Sequence, residues 1–304
     1  MKHWVGFGVI MSMAVIAVLT VQRGRLTAEV SPAPLLYLVA DTEQELIRLP
    51  VTLTRISDQQ EIAIGDDMAR SAGSQLGAPD SSQAHEITDY IDRVGENVAQ
   101  HAQRKLPYRF HYIPNDNFIN AFALPGGHVF LGKGLLNLMK TEDELANVLG
   151  HEVEHIDLRH CVDRVQIEAQ TRQLPLGALA QIPVHIFEAG YSKQQELEAD
   201  RYGTTLAVAA DYSPQGAIQM FQMFQRLQYA LEDNRRELEQ HGAADLPIDI
   251  ANVVIVRSVE DYFRSHPPTA ERIAQIERLT ATEHWPRNQT QRPLVPETNS
   301  TLPK

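Results

Sequence analysis

From Thr141 to His160 the chain reads TEDELANVLGHEVEHIDLRH, with apolar residues recurring three and four positions apart. On a helix, Leu145, Val148, Leu149, Glu152 and Ile156 share one face, flanked by His151 and His155, while Glu154 points roughly the opposite way. Thr141 and Glu144 form a capping box, so the spacing predicts a helix from about 142 to 172. The same periodicity predicts helices at about 58–75, 84–103, 193–210, 214–229, 250–264 and 268–280. Ser192 and Gln195 make a second capping box ahead of the 193–210 helix. Alternation over 108–113, between Pro107 and Pro114, predicts a strand; 128–131, after a Pro125-Gly126-Gly127 turn, predicts another. The expected fold is α+β, predominantly helical, with a small sheet, over residues 57–283.

The ends of the chain differ from this middle. Residues 4–21 are uncharged and mostly apolar, with Lys2 before them and Arg23 and Arg25 after. Eighteen helical residues span about 27 Å, close to a bilayer's hydrocarbon core. Residues 1–28 are therefore read as one N-terminal membrane-anchor helix or a signal peptide, and Leu26-Thr27-Ala28 is a poor cleavage site. Flanking charge alone does not orient it. Residues 29–56, with Pro32, Pro34 and Pro50, read as a linker or arm, and 284–304 as a disordered polar tail.

A net charge of −12 and a pI near 5.4 argue against nucleic acid as a partner. The single cysteine, Cys161, cannot form an internal disulfide and reads as a buried structural thiol.

The chemistry sits in His151-Glu152-Val153-Glu154-His155. Histidines four apart on a helix can offer two imidazole nitrogens to one metal, and Glu152 is placed as general base. A catalytic site of this kind needs a third protein ligand. Glu196 supplies it from the second capped helix, with Asp200 one turn on to accept the other N–H of a ligating histidine. Gly203 lies near the same face, where a missing side chain lets that helix cross the first one closely.

HEVEH with a downstream ELEAD, NAFALPGGHVFL at 120–131, QEIAIG at 60–65 and SHPPTAERI at 265–273 together resemble the gluzincin metallopeptidases of the prenyl-CAAX endopeptidase and HtpX type, among them bacterial envelope quality-control proteases. The resemblance implies a zincin-like domain, one Zn2+ per chain and protein or peptide substrates, unfolded envelope proteins in particular. It also implies an enzyme held at the inner membrane through residues 4–21 with its catalytic domain in the periplasm, or free in the periplasm after cleavage. The strand at 126–131 is the candidate edge to which an extended substrate adds, lining the cleft by resemblance; the other reading is an ordinary interior strand. Residues 174–187, apolar and interrupted by Pro175, Gly177 and Pro183, are open to two readings: a lid or bilayer-touching patch, or a buried hairpin or helix.

Glu152 is expected to take a proton from the attacking water and return it to the leaving amine. His266, in the SHPP segment, either donates to the oxyanion or, as the resemblance suggests, occupies the fourth metal position as a switch. Tyr191 and Arg272 are secondary candidates for the donor. His128, His160 and His185 read as ordinary surface or core residues. The contrasting function class is a membrane-tethered, chaperone-like module with a non-catalytic zinc, against which an intact Glu152 argues.

Overall fold

The computed structural model describes residues 56–77, 79–174, 178–179, 182–183, 186–187, 190–241, 266, 270–286 and 291–294. The expected anchor, nearly all of the 29–56 arm and the 250–264 helix lie outside them. Among the described residues, no helix is long and apolar enough to cross a membrane.

Order along the chain is α1 (Asp58–Leu76), α2 (Ser82–Ala99), β1 (Arg109–Ile113), β2 (Ala121–Leu124), β3 (His128–Gly132), a short α3 (Lys133–Leu136), α4 (Glu142–Asp157), α5 (His160–Thr171), α6 (Lys193–Ala209), α7 (Gln215–His241) and α8 (Ala270–Thr282). Helices thus surround one small three-stranded sheet, as the α+β reading requires.

Helix α4 is the axis of the domain. Every residue from Asp143 to Asp157 is buried, including Glu154, which the helical wheel had placed outward. Its polar side chains are satisfied at both ends of the helix. Thr141 and Glu144 form the expected capping box. Asp143 accepts from the backbone of Ser213 (2.7 Å) and Arg292 (2.9 Å), and Asp157 from that of Gln103 and Arg104 (2.8 and 2.7 Å). These bonds pair the carboxylates of Asp143 and Asp157 at the two ends of this buried, acidic helix.

Helix α6 crosses α4 through Gly203 and Gly150. A Cβ on Gly203 would lie 2.6 Å from His151 N and 2.7 Å from Gly150 C, so only glycine permits this approach. Gly203→Ala should therefore cost about 1–3 kcal/mol of stability, the usual range for overpacking. Denaturant unfolding measures it, and an unchanged midpoint would show that the crossing is not set by this contact.

The sheet order is β1-β3-β2, with β1 parallel and β2 antiparallel to β3. Strand β3 is therefore central, which corrects the expectation that the strand at 126–131 presents a free edge. The edge next to α4 is β2. Gly132 N–H donates to Asn120 O, so alternation turns the backbone groups of Ala121 and Ala123 away from β3.

Two further expectations change. The helix predicted over 142–172 breaks at Leu158–Arg159, where Arg159 adopts φ 66°. A non-glycine residue in that conformation costs roughly 1–2 kcal/mol. Ion pairs of Arg159 with Glu61 and Asp58 (both 3.3 Å), and its bond to Ile56 O (2.7 Å), hold it there. Within the expected disordered tail, residues 291–294 run beside 140–142: Glu142 N–H donates to Arg292 O (2.9 Å) and Leu294 N–H to Lys140 O (3.3 Å). That segment straps the amino-terminal end of α4. Of the 174–187 stretch, Leu179, Ile182, Ile186 and Phe187 are buried in the core, which favours its buried reading.

A second histidine cluster lies on the sheet. His128 Nε2 is 2.9 Å from Asp66 Oδ1, and its Nδ1 is 2.9 Å from His111 Nε2; the His111 ring stacks on Phe130 at 4.4 Å. Burial, with His128 and Arg109 nearby, depresses the His111 pKa to about 4. Below pH 6.5 the unfolded chain thus binds a proton at this site that the native state refuses. Stability is present above pH 6.5 and lost as pH falls toward 4, by on the order of 2–3 kcal/mol. Thermal unfolding of His111→Gln should show a flatter pH dependence over that window; parallel curves would remove His111 as the cause.

Candidate active site

Four side chains converge where α4, α6 and the segment before α8 meet. One ligand atom from each of His151, His155, Glu196 and His266 lies within 4.8 Å of the others, and all four residues are buried. His155 Nε2 is 3.1 Å from His151 Nε2 and 3.5 Å from Glu196 Oε1. His266 Nδ1 is 3.1 Å from Glu196 Oε1 and 3.3 Å from His151 Nε2. The Ser192–Gln195 capping box starts α6 at Lys193, which places Glu196 in the first turn of the helix.

Glu152 stands beside this cluster at 1% exposure, and neither carboxylate oxygen has a hydrogen-bond partner among the described residues. Burial raises its pKa, opposed mainly by His266 and His151. An orphaned buried carboxylate is costly unless something in the working site pairs with it. The donor set therefore fits a divalent metal of the zinc kind: three imidazoles and a carboxylate in the cluster, with the Glu152 acid alongside.

Asp200 lies against His151. Its Oδ1 is 2.9 Å from His151 Nδ1, which fixes that ring with Nε2 toward the cluster. Arg272 grips Asp200 through Nε and Nη2 (2.6 Å each) and Glu196 through Nη1 (3.0 Å). It is the anchor of both carboxylates, which removes it as an oxyanion donor. With Arg272 opposing burial, Asp200 stays ionised below the usual carboxylate range. Tyr191 is likewise committed: its ring stacks on His155 at 3.8 Å and its hydroxyl lies 3.3 Å from Cys161 Sγ. Cys161 is buried, and its Sγ faces the carbonyl of Ala123 on β2 (3.5 Å).

Peptidase family M48 matches residues 85–280, more than half of the chain and all of the ligand-bearing helices. The chain belongs to peptidase family M48. Among curated relatives, the beta-barrel assembly-enhancing protease of Escherichia coli K12 is 31% identical over 189 residues, 49% of this chain and 38% of that protein. The mitochondrial metalloendopeptidase OMA1 of Schizosaccharomyces pombe is 30% identical over 168 residues, 52% of this chain and 50% of that one. The metalloprotease LoiP of Escherichia coli K12 is 25% identical over 190 residues, 57% and 72% respectively. The chain thus spans less than half of the assembly-enhancing protease.

Members of the family among these relatives carry the names metalloendopeptidase and metalloprotease. The group formed by His151, His155, Glu196 and His266 could hold a metal. Sequence reasoning missed His160 and Glu198 at this site. His160 Nδ1 lies 3.0 Å from His155 Nδ1, and its Nε2 lies 3.5 Å from Glu198 Oε2. The break at Arg159, unforeseen in the sequence, is what turns His160 back.

Proposed function

We propose that this enzyme is a zinc-dependent endopeptidase that cleaves misfolded or unassembled proteins of the bacterial cell envelope. It is tethered to the inner membrane through residues 4–21 with its catalytic domain in the periplasm, or free in the periplasm if the amino terminus is removed. His151, His155 and Glu196 hold one Zn2+, Asp200 orients His151, and Glu152 is the general base. The unpartnered Glu152 carboxylate beside the ligand cluster is the observation that carries this reading. Relatives named as a beta-barrel assembly-enhancing protease and a mitochondrial metalloendopeptidase support the endopeptidase reading.

When bound, zinc supplies a Lewis acid that polarises a carbonyl and brings the pKa of a water toward neutrality. Glu152 accepts a proton from the attacking water on a carboxylate oxygen and delivers it to the departing amide nitrogen. Its burial suits this shuttle, because the neutral form is not penalised between the two transfers.

His266 adds a second reading of the same site. Its Nδ1 already lies among the ligand atoms, which favours a protease held latent by a fourth ligand over one assisted by an oxyanion donor. A chaperone-like module with structural zinc is less supported, because such a site has no use for Glu152.

The test is zinc content and casein digestion by the purified full chain, with and without a chelator. One zinc per chain and chelator-sensitive cleavage are expected. His151→Ala, His155→Ala and Glu196→Ala should each lose the metal, and Asp200→Ala should bind it about 10–100-fold more weakly. Tight zinc binding by Glu196→Ala would require another third ligand, and chelator-resistant cleavage would overturn the metalloprotease reading.

A further inference from the structure

The two histidines of the HEVEH motif are held from behind in different ways. His151 Nδ1 meets the carboxylate of Asp200 directly, at 2.9 Å. His155 Nδ1 meets another imidazole, His160 Nδ1, at 3.0 Å, and His160 reaches a carboxylate only through its other nitrogen, 3.5 Å from Glu198 Oε2. Both histidines of this second chain are buried, whereas the Glu198 side chain is 37% exposed. Gln194 Nε2 donates to Glu198 Oε1 at 2.9 Å and steadies it.

Proton placement along this chain is constrained. His155 Nε2 faces the ligand cluster, so a ligating His155 must keep its lone pair there and carry its proton on Nδ1. That proton then points at His160 Nδ1, which must accept it. A neutral His160 accepting on Nδ1 carries its own proton on Nε2, toward the Glu198 carboxylate. One carboxylate on α6 thus selects the tautomers of two successive rings, and the outer ring sets the inner one.

We infer that His160 is a positioning residue for the metal site, fixing the tautomer and ring orientation of His155, with Glu198 fixing His160 in turn. This rests on His155 being a zinc ligand as proposed above. The local fold supports it. Arg159 caps α5 in the left-handed conformation, at the cost already noted, and the resulting reversal places His160 on the far side of His155 from the cluster. Tyr191 covers the His155 ring face at 3.8 Å, so the ring is held by its face and by its edge. Groups of this kind commonly tune metal affinity by 10–100-fold.

The test uses the purified full chain and zinc affinity by chelator competition. His160→Phe keeps a ring but removes the acceptor, and should weaken zinc binding about 10–100-fold. His160→Asn places an amide oxygen near the position of Nδ1, and should restore most of that affinity. Glu198→Ala should fall between the two. Wild-type affinity in His160→Phe, or equal losses in His160→Phe and His160→Asn, would overturn the inference, since a purely structural role has no reason to distinguish acceptor from shape. If His160→Phe does not fold, 15N NMR of the metal-free wild-type protein decides: a neutral His155 protonated on Nδ1 is expected, and protonation on Nε2 overturns the chain. His155→Ala is the control for the underlying reading. If it keeps zinc, the ligand assignment itself fails, independently of His160.

Discussion

Glu152→Gln should leave the protein folded and zinc-loaded while lowering peptide hydrolysis by roughly two to four orders of magnitude, the usual worth of a positioned base. The side chain is 1% exposed and neither oxygen is hydrogen-bonded among the described residues, so an amide of nearly equal volume displaces nothing and breaks no hydrogen bond. It does remove the ionisable group whose pKa burial has raised. Stability should therefore be unchanged or slightly higher, because a neutral amide escapes the desolvation cost of a carboxylate. Zinc content by atomic absorption and turnover of a fluorogenic peptide separate the two effects. Near-wild-type turnover with one zinc bound would eliminate Glu152 as the base, and loss of zinc would make it a ligand.

Local rules explain why much of the domain was legible. Thr141 with Glu144, and Ser192 with Gln195, mark the starts of the two helices that bear His151, His155 and Glu196, and both capping boxes are present. The four-residue spacing of the histidines fixes them on one face wherever α4 lies. Asp200 was legible by the same one-turn logic from Glu196, and the bareness of Gly203 gave the crossing.

What stayed hidden depends on partners distant in sequence. On a continuous helix, five residues from His155 to His160 rotate the side chain by about 140°, which puts His160 on another face. The break at Arg159 cancels that geometry, and the break depends on Glu61 and Asp58, a hundred residues earlier. The pairing of β3 on both sides was equally invisible, because four apolar residues at 121–124 carry no sign of which neighbour they bond. The 291–294 strap relies on backbone hydrogen bonds, for which a polar, proline-containing sequence gives little signal. The buried polar residues of α4 defeat hydrophobic periodicity for a related reason: Asp143 and Asp157 are buried because distant backbone N–H groups meet them.

His266→Ala should raise basal peptide hydrolysis at saturating zinc, because the histidine sits with its Nδ1 among the ligand atoms rather than apart from them as an oxyanion donor. The contacts of that nitrogen are with Glu196, at 3.1 and 3.2 Å, and His151, at 3.3 Å. Its other nitrogen is 3.6 Å from Glu152 Oε1. With a metal held among these atoms, the His266 side chain would close both the open metal position and the approach to the base. A closed state favoured so that the open one holds 0.1–10% of molecules would give a rise of roughly ten- to a thousandfold on release. Zinc affinity should fall at the same time, since a donor is lost from the cluster. The opposing role makes the opposite prediction: removing an oxyanion donor lowers the rate by about two to three decades and leaves zinc content unchanged. Peptide turnover and zinc content measured on one preparation distinguish them, and a clear loss of turnover with full zinc occupancy would assign His266 to catalysis instead of latency.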